Sequence, residues 1–441
     1  MLSLELITRS KPTMPQDLTR RSFVLTAAGA GLASTPAARR ALGANEKITI
    51  GFIGAGGRGY YLMERLYKGA GDQVQVLAVC DTYSTWRARG VERVKTMGGN
   101  TPKAVVDYRD ILADPAIDAV FIATPEHLHH MQAMDAIKAR KHIYLEKPIA
   151  HTIEEGAEIV KAAQNYDRII QVGTQNRSNP LYQKAKEMVD SGMIGDVHYV
   201  RAFWYRNFPD RSGNPAAWRY VIPPDASEQT CDWARFLGPA PKRPFDKRRY
   251  FQWRNYWDYS GGISTDLLVH QTDIANYVLG KAVPIACMAT GGILVWGPPN
   301  DDREVPDTLS AIYKYADAFH LNYSCFFGND QYGYGEQFLG YEGTIEVLNR
   351  SELHFYPQQF GGKPPARVAA RKEIHVREPM DNTSVENHIR NWLDAIRGKA
   401  KVIAPASEGQ VAAIPGHMAT LSYKRGRTVL WDARTQKYRF A

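Results

Sequence analysis

The sequence predicts an α/β protein, with an N-terminal doubly wound parallel sheet and a C-terminal α+β domain that contains a large mixed or antiparallel sheet. Three observations lead to this fold class. The chain has 441 residues, too many for one ordinary core, which indicates two domains. Strand patterns alternate with helical patterns up to about residue 175. Beyond that point several β-like runs with intervening turns follow one another.

Composition excludes several classes of protein. Apolar residues make up 44% and charged residues 23% of the chain, as in folded globular proteins. Residues 1–40 contribute +4 of the net charge of +9, with six basic and two acidic side chains, and the basic residues elsewhere are interspersed with acids apart from one cluster at 242–249, which argues against nucleic-acid binding. The longest apolar stretch, about 23–38, is diluted by Gly, Ser, Thr and Pro, so no stable membrane insertion is expected. Four distant cysteines without a C-x-x-C pair indicate neither a disulfide scaffold nor a metal site.

Residues 1–44 are interpreted as an export signal and linker. Arg20 and Arg21 precede a weakly hydrophobic, Gly/Ala-rich segment and then small residues. This order is typical of a twin-arginine (Tat) signal, which predicts the Tat export machinery as a partner and a periplasmic or secreted protein. A chance arginine pair beside a frayed amphipathic helix is the alternative, and Met14 is an alternative start.

A glycine-rich turn follows the first predicted strand of the domain at 45–175. The β-branched run Lys47–Ile53 leads into a G-x-G-x-x-G sequence and then into helical periodicity. The first glycine permits a tight turn, the second lets backbone approach a pyrophosphate, and the third lets helix and strand pack closely. The helix N-terminus adds N–H groups for phosphate. The candidate cofactor-binding residues are Gly54, Gly56, Gly57, Arg58 and Gly59.

The second predicted strand ends at an acidic residue. Gln73–Cys80 is followed by Asp81, 22 residues after Gly59. An acid at this point suits the ribose hydroxyls of NAD and repels a 2′-phosphate, so NAD is the predicted cofactor. NADP is the alternative, because Arg58 lies close enough to contact phosphate. A glycine-rich turn with a capping aspartate is the purely structural alternative.

The alternation continues to residue 173 and brings polar residues to strand ends. The predicted elements are a strand at Ala119–Pro125, a helix through His129 to Arg140, a strand at His142–Leu145, a helix from about Ile153 to Asn165, and a strand at Ile169–Gly173. In a doubly wound sheet the ligand lies at the carboxyl ends of the strands. Thr124-Pro125 and Glu146-Lys147-Pro148 both fall there.

Residues 176–441 are predicted to form the second domain. The strand candidates are His198–Tyr205, Ile285–Val295, Thr308–Tyr315, Ala318–Phe326, Gln337–Tyr341 and Thr344–Leu348. We expect a homo-oligomer that associates through this sheet, and late helices, at about 383–424, that pack back on the first domain. Residues 199–259 contain 16 aromatics in 61 positions, which favours either a carbohydrate pocket or a loop core or subunit interface.

Together these motifs resemble the Gfo/Idh/MocA oxidoreductases, the glucose–fructose oxidoreductase and inositol dehydrogenase family. The resemblance covers about residues 46–435. It rests on the glycine turn with Arg58, Ala123-Thr124-Pro125-x-x-x-His129, Glu146-Lys147-Pro148, Gly261-Gly262-x-x-x-Asp266-x-x-x-His270 and the late segment Glu386–Arg397. Two features depart from the family pattern: Glu126 stands where relatives often have Asn, and the segment from Ser260 has one fewer glycine than in many relatives.

The resemblance implies that Lys147, Asp266 and His270 form the reaction centre of a secondary-alcohol oxidation. Hydride would pass to nicotinamide C4 while a base takes the hydroxyl proton. Histidine suits that base because it titrates near neutrality, and the lysine can stabilise developing negative charge. Asp266, four residues before His270, would project from the same helix face. A solvated loop lysine, a helix cap and a surface histidine are the structural alternatives.

Other side chains are expected around this centre. Thr124, Pro125, His129, Glu146 and Lys147 are expected to contact the cofactor. The candidate substrate contacts are Gln175, Arg177 and Trp257. His127 and His130 are interpreted as residues of a helix surface.

The expected function is an NAD(P)-dependent oxidoreductase that acts on a sugar, glycoside or cyclitol. Its cofactor would be tightly held, because a periplasm has no free NAD pool. An NAD-dependent glycosidase, which oxidises C3 transiently, eliminates the aglycone and reduces again, is the alternative enzyme. A non-catalytic cofactor-binding sensor is a third hypothesis.

Overall fold

The computed structural model describes residues 46–207, 216–299, 301–362, 364–379 and 383–441. The predicted export signal at 1–44 lies outside the described residues. Across these ranges no helix combines the length and apolar character needed to span a bilayer. The same ranges contain no cluster of three or more His, Cys, Asp or Glu side chains suited to hold a metal ion.

The first domain is a parallel sheet with helices on both faces. Within the described residues its six strands are β1 Ile48–Ile53, β2 Val74–Cys80, β3 Lys103–Val105, β4 Ala119–Ile122, β5 His142–Leu145 and β6 Ile170–Val172. The helices that connect them are α1 Gly57–Ala70, α2 Ser84–Gly98, α3 Tyr108–Ala113, α4 Glu126–Lys138 and α5 Ile153–Ala163. The strand order β3-β2-β1-β4-β5-β6 reverses between β1 and β4, where doubly wound folds bind dinucleotides.

The second domain is built on a larger, mixed sheet. In the described part of the chain its ten strands are β7 Val197–Asn207, β8 Ala286–Gly292, β9 Thr308–Lys314, β10 His320–Phe326, β11 Gly328–Gly340, β12 Gly343–Leu348, β13 Glu352–Pro357, β14 Ile374–Arg377, β15 Val429–Asp432 and β16 Lys437–Phe440. Strands β7 and β10 pair in parallel, and the other adjacent strands for which a register is defined pair antiparallel. The remaining helices are α6 Pro180–Asp190, α7 Trp233–Leu237, α8 Lys247–Phe251, α9 Val269–Leu279, α10 Ala366–Ala369, α11 Thr383–Ile396 and α12 Ala406–Arg425. The predicted fold class is confirmed.

Two strand predictions differ from the observed strands for identifiable reasons. The strand predicted at Ile285–Val295 ends at Gly292, because the backbone N–H groups of residues 294–296 donate to the Asp307 carboxylate at 2.7–2.9 Å instead of joining the ladder. The strand predicted at Gln337–Tyr341 begins at Gly328, because pairing with β7 extends a glycine-rich, polar segment that has no apolar alternation of its own. Long-range pairing therefore fixed both boundaries.

Helices α11 and α12 connect the two sheets. The ring of Trp392 on α11 is fully buried and lies 5.0 Å from Phe121 and 5.7 Å from Tyr144, so α11 covers one face of the first sheet. Helix α12 contributes Ala413 to the core of the first domain and Met418 to the core of the second. A close-packed contact of this kind fixes the position of one domain relative to the other and so defines the cleft between them.

Candidate active site

The glycine turn joins β1 to α1 with little space for side chains. Gly54 has φ +95°, a left-handed conformation that favours glycine, and a Cβ there would lie 2.8 Å from the Ala123 carbonyl oxygen. A Cβ on Gly59 would overlap the carbonyl oxygen of Gly54. A Cβ on Gly57, by contrast, would meet nothing described within 4 Å. The turn is thus closed towards the sheet and open on its outer side, where helix N–H groups can receive a phosphate.

Asp81 holds this turn in place. Its two carboxylate oxygens accept hydrogen bonds from the backbone N–H groups of Ala55, at 2.7 Å, and Tyr83, at 2.8 Å. Burial raises the pKa of the Asp81 carboxyl, and the two backbone donors oppose that increase by stabilising the ionised form. Asp81 also lines the cavity described next, which leaves its remaining lone pairs near the expected ribose.

A cavity of about 1150 Å³ runs from the glycine turn along the carboxyl ends of the first sheet to the second domain. Its volume exceeds the usual range for one drug-sized ligand, about 300–1000 Å³. The residues of the first domain that line it include Gly54, Gly56, Gly57, Arg58, Asp81, Thr124, Pro125, His129, Glu146, Lys147 and Gln175. The open space beside Gly57 and the unhindered start of α1 fit a dinucleotide with room for a second, smaller molecule.

An ion pair crosses from the first domain to the second at the centre of the cavity. Lys147 donates from Nζ to the backbone oxygen of Asp266 at 2.6 Å and to its Oδ1 at 2.9 Å, while Arg254 donates to the same Oδ1 at 3.2 Å. Burial alone would raise the pKa of the Asp266 carboxyl, but the charges and hydrogen bonds of Lys147 and Arg254 outweigh burial and lower it. Asp266 therefore stays ionised. The peptide bond between Lys147 and Pro148 is cis.

His270 lies beside this pair but not on one regular helix with Asp266. Residues Ser264–Leu268 form a π-helical turn that precedes α9, an irregularity frequent at functional sites. The His270 side chain is buried, and its Nδ1 has no hydrogen-bond partner among the described residues. Burial, and then the charges of Lys147 and Arg350, lower the pKa of His270 well below its ordinary value. The imidazole is therefore neutral at neutral pH.

The far wall of the cavity comes mostly from the second domain. It includes Trp204, Arg206, Trp218, Tyr220, Trp253, Arg254 and Arg350. All of these except Arg350 lie in the aromatic segment at 199–259, for which a carbohydrate pocket was one of the expectations, whereas Arg350 was not predicted. A sequence signal that could have indicated Arg350 is the pair Asn349-Arg350 at the centre of a two-residue hairpin turn, where the second residue is usually glycine.

Of the three candidate substrate residues, the structure places one at the cavity and two outside it. Gln175 lines the cavity, and its Oε1 accepts from Arg58 at 3.3 Å. Arg177 was wrongly predicted to face substrate, because it is buried outside the cavity. Its Nη2 lies 2.7 Å from Oδ1 of Asp273 on α9 and 3.0 Å from Oε2 of Glu408 on α12, and these two acids neutralise its charge. Trp257 also lies outside the cavity, with the Lys424 Nζ 3.9 Å from its ring centroid.

Two residues of helix α4 have contacts different from those expected. His129 lines the cavity, but its ring nitrogens lie 2.7 Å and 2.9 Å from the backbone oxygens of Pro148 and Thr124, so it also supports both strand ends. His127 was wrongly interpreted as a surface residue: it is buried, and its Nε2 bonds to the Phe236 carbonyl at 2.8 Å, because the aromatic segment covers this face of α4.

Glu126, the departure from the family pattern, connects the two domains. Its buried carboxylate accepts from the Ser260 hydroxyl at 2.7 Å, the Gly261 N–H at 3.1 Å and the Thr265 hydroxyl at 2.8 Å. Ser260 and Gly261 precede the π-helical turn, and Thr265 lies within it. The carboxylate thus positions the backbone that carries Asp266.

The comparisons with known proteins agree with this geometry. Residues 48–174 match the model of the Gfo/Idh/MocA oxidoreductase family, NAD-binding Rossmann fold, and residues 241–430 match the family's C-terminal alpha/beta domain. The chain belongs to the Gfo/Idh/MocA oxidoreductase family. Its first domain is accordingly an NAD-binding Rossmann domain, as the glycine turn and Asp81 predicted.

Several members with curated names are similar to this chain. Levoglucosan dehydrogenase of Pseudarthrobacter phenanthrenivorans is 27% identical over 216 residues, 48% of this chain and 49% of that protein. Myo-inositol 2-dehydrogenase of Thermotoga maritima is 27% identical over 193 residues, 44% of this chain and 45% of that protein. Glycosyl hydrolase family 109 protein 2 of Shewanella sp. (strain ANA-3) is 30% identical over 211 residues, 42% of this chain and 45% of that protein. The matches span about half the length of these relatives.

Solved structures extend the similarity of the fold over most of the chain. Levoglucosan dehydrogenase in complex with NADH and levoglucosan superposes with a TM-score of 0.67 and 19% identity, covering 87% of this chain and 99% of that one. The WlbA dehydrogenase of Bordetella pertussis, in complex with NADH and UDP-GlcNAcA, has a TM-score of 0.64 and 20% identity, covering 88% and 99%. The two-domain architecture is therefore that of the family.

Proposed function

We propose that the protein is an NAD-dependent oxidoreductase that oxidises a secondary alcohol of a sugar, glycoside or cyclitol and holds its cofactor tightly. The observation that carries this proposal is one cavity in which the glycine turn, the Lys147–Asp266 pair and His270 meet. NAD bound in this cavity supplies a hydride acceptor. The relatives named as levoglucosan and inositol dehydrogenases support the class of substrate.

The side chains at the centre suit removal of a hydroxyl proton. The neutral imidazole of His270 has a nitrogen lone pair that can accept it. Lys147 has three N–H donors, two of which bond to Asp266, so the third can donate to the substrate oxygen as negative charge develops there. Asp266 orients the lysine. We assign His270 as the base and Lys147 as the stabilising donor.

The test begins with the mass of any nucleotide released from the purified protein. Formation of NADH is then followed with levoglucosan, myo-inositol and common hexoses, and with hexuronates and hexose phosphates. His270→Ala and Lys147→Met are expected to lower kcat/KM about 100-fold or more, with NADH affinity nearly unchanged. His130→Ala is the control, because His130 on α4 bonds to the exposed Glu158 on α5 and does not line the cavity. Full activity in both site variants, or no turnover of any sugar, contradicts the proposal.

Glycosidase activity is the second candidate. The 30% identity to the Shewanella glycosyl hydrolase family 109 protein favours it. In such an enzyme the same base and lysine would assist a transient oxidation of the sugar by NAD, and the hydride would return from NADH to the sugar within one cycle. Product analysis separates the two: net NADH or a keto-sugar indicates the oxidoreductase, whereas free sugar without net NADH indicates the glycosidase.

We also propose export by the Tat pathway to the periplasm or beyond. The proposal rests on Arg20-Arg21 and the Gly/Ala-rich segment that follows them. Residues 1–44 fused to a folded reporter should direct its export, and replacing both arginines by lysine should abolish it. Export of the double-lysine fusion would contradict the assignment.

A homo-oligomer formed through the second sheet is proposed as well. Paired positions across one face of this sheet expose Met288, Ile312, Tyr199, Leu339 and Tyr356, each at least 36% accessible. Polar side chains such as Arg201 and Asn322 share this face, and large exposed apolar side chains set among polar ones suit a surface that associates. Light scattering should give at least twice the mass of one chain, which is 49.5 kDa before any cleavage of the signal. Ile312→Lys should reduce the measured mass. A monomeric wild type would contradict this assembly.

A further inference from the structure

One wall of the cavity carries more positive charge than its neighbours neutralise. Lys147 and Arg254 share the single carboxylate of Asp266. Arg350 lines the same cavity: its guanidinium carbon is 5.6 Å from the Trp204 ring centroid, and that ring is 6.0 Å from the ring of His270. The Nε of Arg350 is buried and has no hydrogen-bond partner in the described ranges.

The backbone at Arg350 is unusual for its residue type. Asn349 and Arg350 have φ of +51° and +59° and form the centre of the hairpin turn between β12 and β13, which the Ser351 N–H closes onto the Leu348 oxygen at 3.0 Å. Turns with two positive φ angles strongly favour glycine at the second of these positions. A long side chain in this left-handed conformation is strained, and such strain is concentrated at functional sites. The turn therefore favours a role for the guanidinium itself.

A nearby acid, Glu336, does not cancel the charge of Arg350. Glu336 on β11 is fully buried and accepts a hydrogen bond from the Tyr182 hydroxyl at 2.6 Å. Burial raises the pKa of Glu336 to about 8, more than Tyr182 and Arg350 lower it. Glu336 is thus mostly protonated at neutral pH. The other carboxylates of this region are bound elsewhere: Glu146 pairs with Arg58, and Glu126 accepts three donors of the second domain.

We propose that the sugar substrate carries an anionic group, a carboxylate or a phosphate, which Arg350 binds while the reacting hydroxyl faces His270. A planar guanidinium binds either anion through two parallel N–H donors. The flat face of Trp204 and its stacked partner Tyr334, 4.4 Å away between centroids, form the apolar floor beneath the arginine. This inference rests on the proposed function and narrows its substrate to acidic sugars.

Calorimetric titration of the protein saturated with NADH tests the inference without requiring turnover. The ligands are D-glucuronate, D-galacturonate and glucose 6-phosphate, with D-glucose and D-galactose as their neutral counterparts. At least one acidic sugar should bind about tenfold or more tightly than its neutral counterpart, since hydrogen bonds to charged groups are worth about that factor or more. The uronates and the phosphate distinguish the two anions.

Arg350→Gly removes the guanidinium and suits the turn, so it should fold at least as well as the wild type. It should abolish the preference for the acidic sugar and leave the affinity for NADH unchanged. Arg140→Gly is the matched control: Arg140 also has a positive φ, +57°, but it is exposed, follows the C-terminal end of α4, pairs with Asp167 and does not line the cavity. This control should bind every ligand as the wild type does.

Three results would overturn the inference. They are equal or tighter binding of the neutral sugars by the wild type, an undiminished preference in Arg350→Gly, and an equal loss of NADH binding in that variant, which would assign the arginine to the cofactor. Failure of the proposed function is a separate result: acidic sugars would bind with Arg350 dependence, but no sugar would be oxidised.

Discussion

The buried ion pair between the two domains gives the sharpest quantitative expectation. Asp266→Asn keeps the shape of the side chain and removes its charge. Lys147 and Arg254 approach its Oδ1 at 2.9 Å and 3.2 Å, which corresponds to attractions of about 6 and about 5 kcal/mol at an effective dielectric constant of 20. Removing the carboxylate also saves its desolvation, so the net cost in the free energy of unfolding is about 3–5 kcal/mol.

Urea denaturation followed by tryptophan fluorescence measures this cost. The pKa of Asp266 is lowered in the folded protein, so its contribution is complete above the unfolded pKa, about 3.9, and is lost as the pH falls below that value. The difference between wild type and variant should therefore be constant between about pH 5 and 8. The variant should also lose about 100-fold in kcat, because Lys147 is no longer held in register with substrate.

A double-mutant cycle tests the cause. Arg254→Gln and Asp266→Asn should be non-additive by about 1 kcal/mol or more, since Arg254→Gln removes a cation that Asp266→Asn leaves unpaired. Asp258→Asn is the control, because that carboxylate also bonds two arginines, Arg243 and Arg249, but lies outside the cavity. A loss below 1 kcal/mol in Asp266→Asn, or strict additivity, would refute the reasoning.

Three further predictions follow from the same site. Asp81→Asn should weaken NADH binding about tenfold and reduce discrimination against NADPH in fluorescence titrations. The amide nitrogen cannot accept the backbone N–H that a carboxylate oxygen accepts, and the negative charge that repels a 2′-phosphate is lost. Unchanged selectivity would contradict this role of Asp81. Gly59→Ala should lower thermal stability and abolish NADH binding, since the new methyl group overlaps the carbonyl of Gly54, whereas Gly57→Ala should keep full thermal stability. Equal thermal stability of the two variants would contradict this packing. Because the pKa of His270 is lowered, its imidazole stays neutral as the pH falls through 6.5, so the acid limb of kcat/KM should lie below pH 6.5, and a limb at or above that value would contradict the assignment.

Much of the first domain could be predicted from local pattern alone. Strands β1, β2, β4, β5 and β6 begin and end within three residues of their predicted limits, because buried parallel strands are short apolar runs bounded by turn residues. The glycine spacing is similarly local, since each glycine answers a steric demand of one turn. In the second domain, pairing with distant strands set the boundaries, as the early start of β11 against β7 illustrates.

The candidate site divides in the same way. The sequence by itself determined the fold class and the glycine turn with Asp81, because these depend on backbone geometry and motifs of short span. The trio of Lys147, Asp266 and His270 came from the resemblance to the family, and the structure brings all three to one cavity. Only the tertiary structure decided which neighbouring side chains face that cavity. Gln175 and Arg177 are two positions apart on one 3₁₀ turn, yet the first lines the cavity and the second is neutralised by acids 96 and 231 positions away. Charge pairing between distant segments, which leaves no local pattern, made that choice.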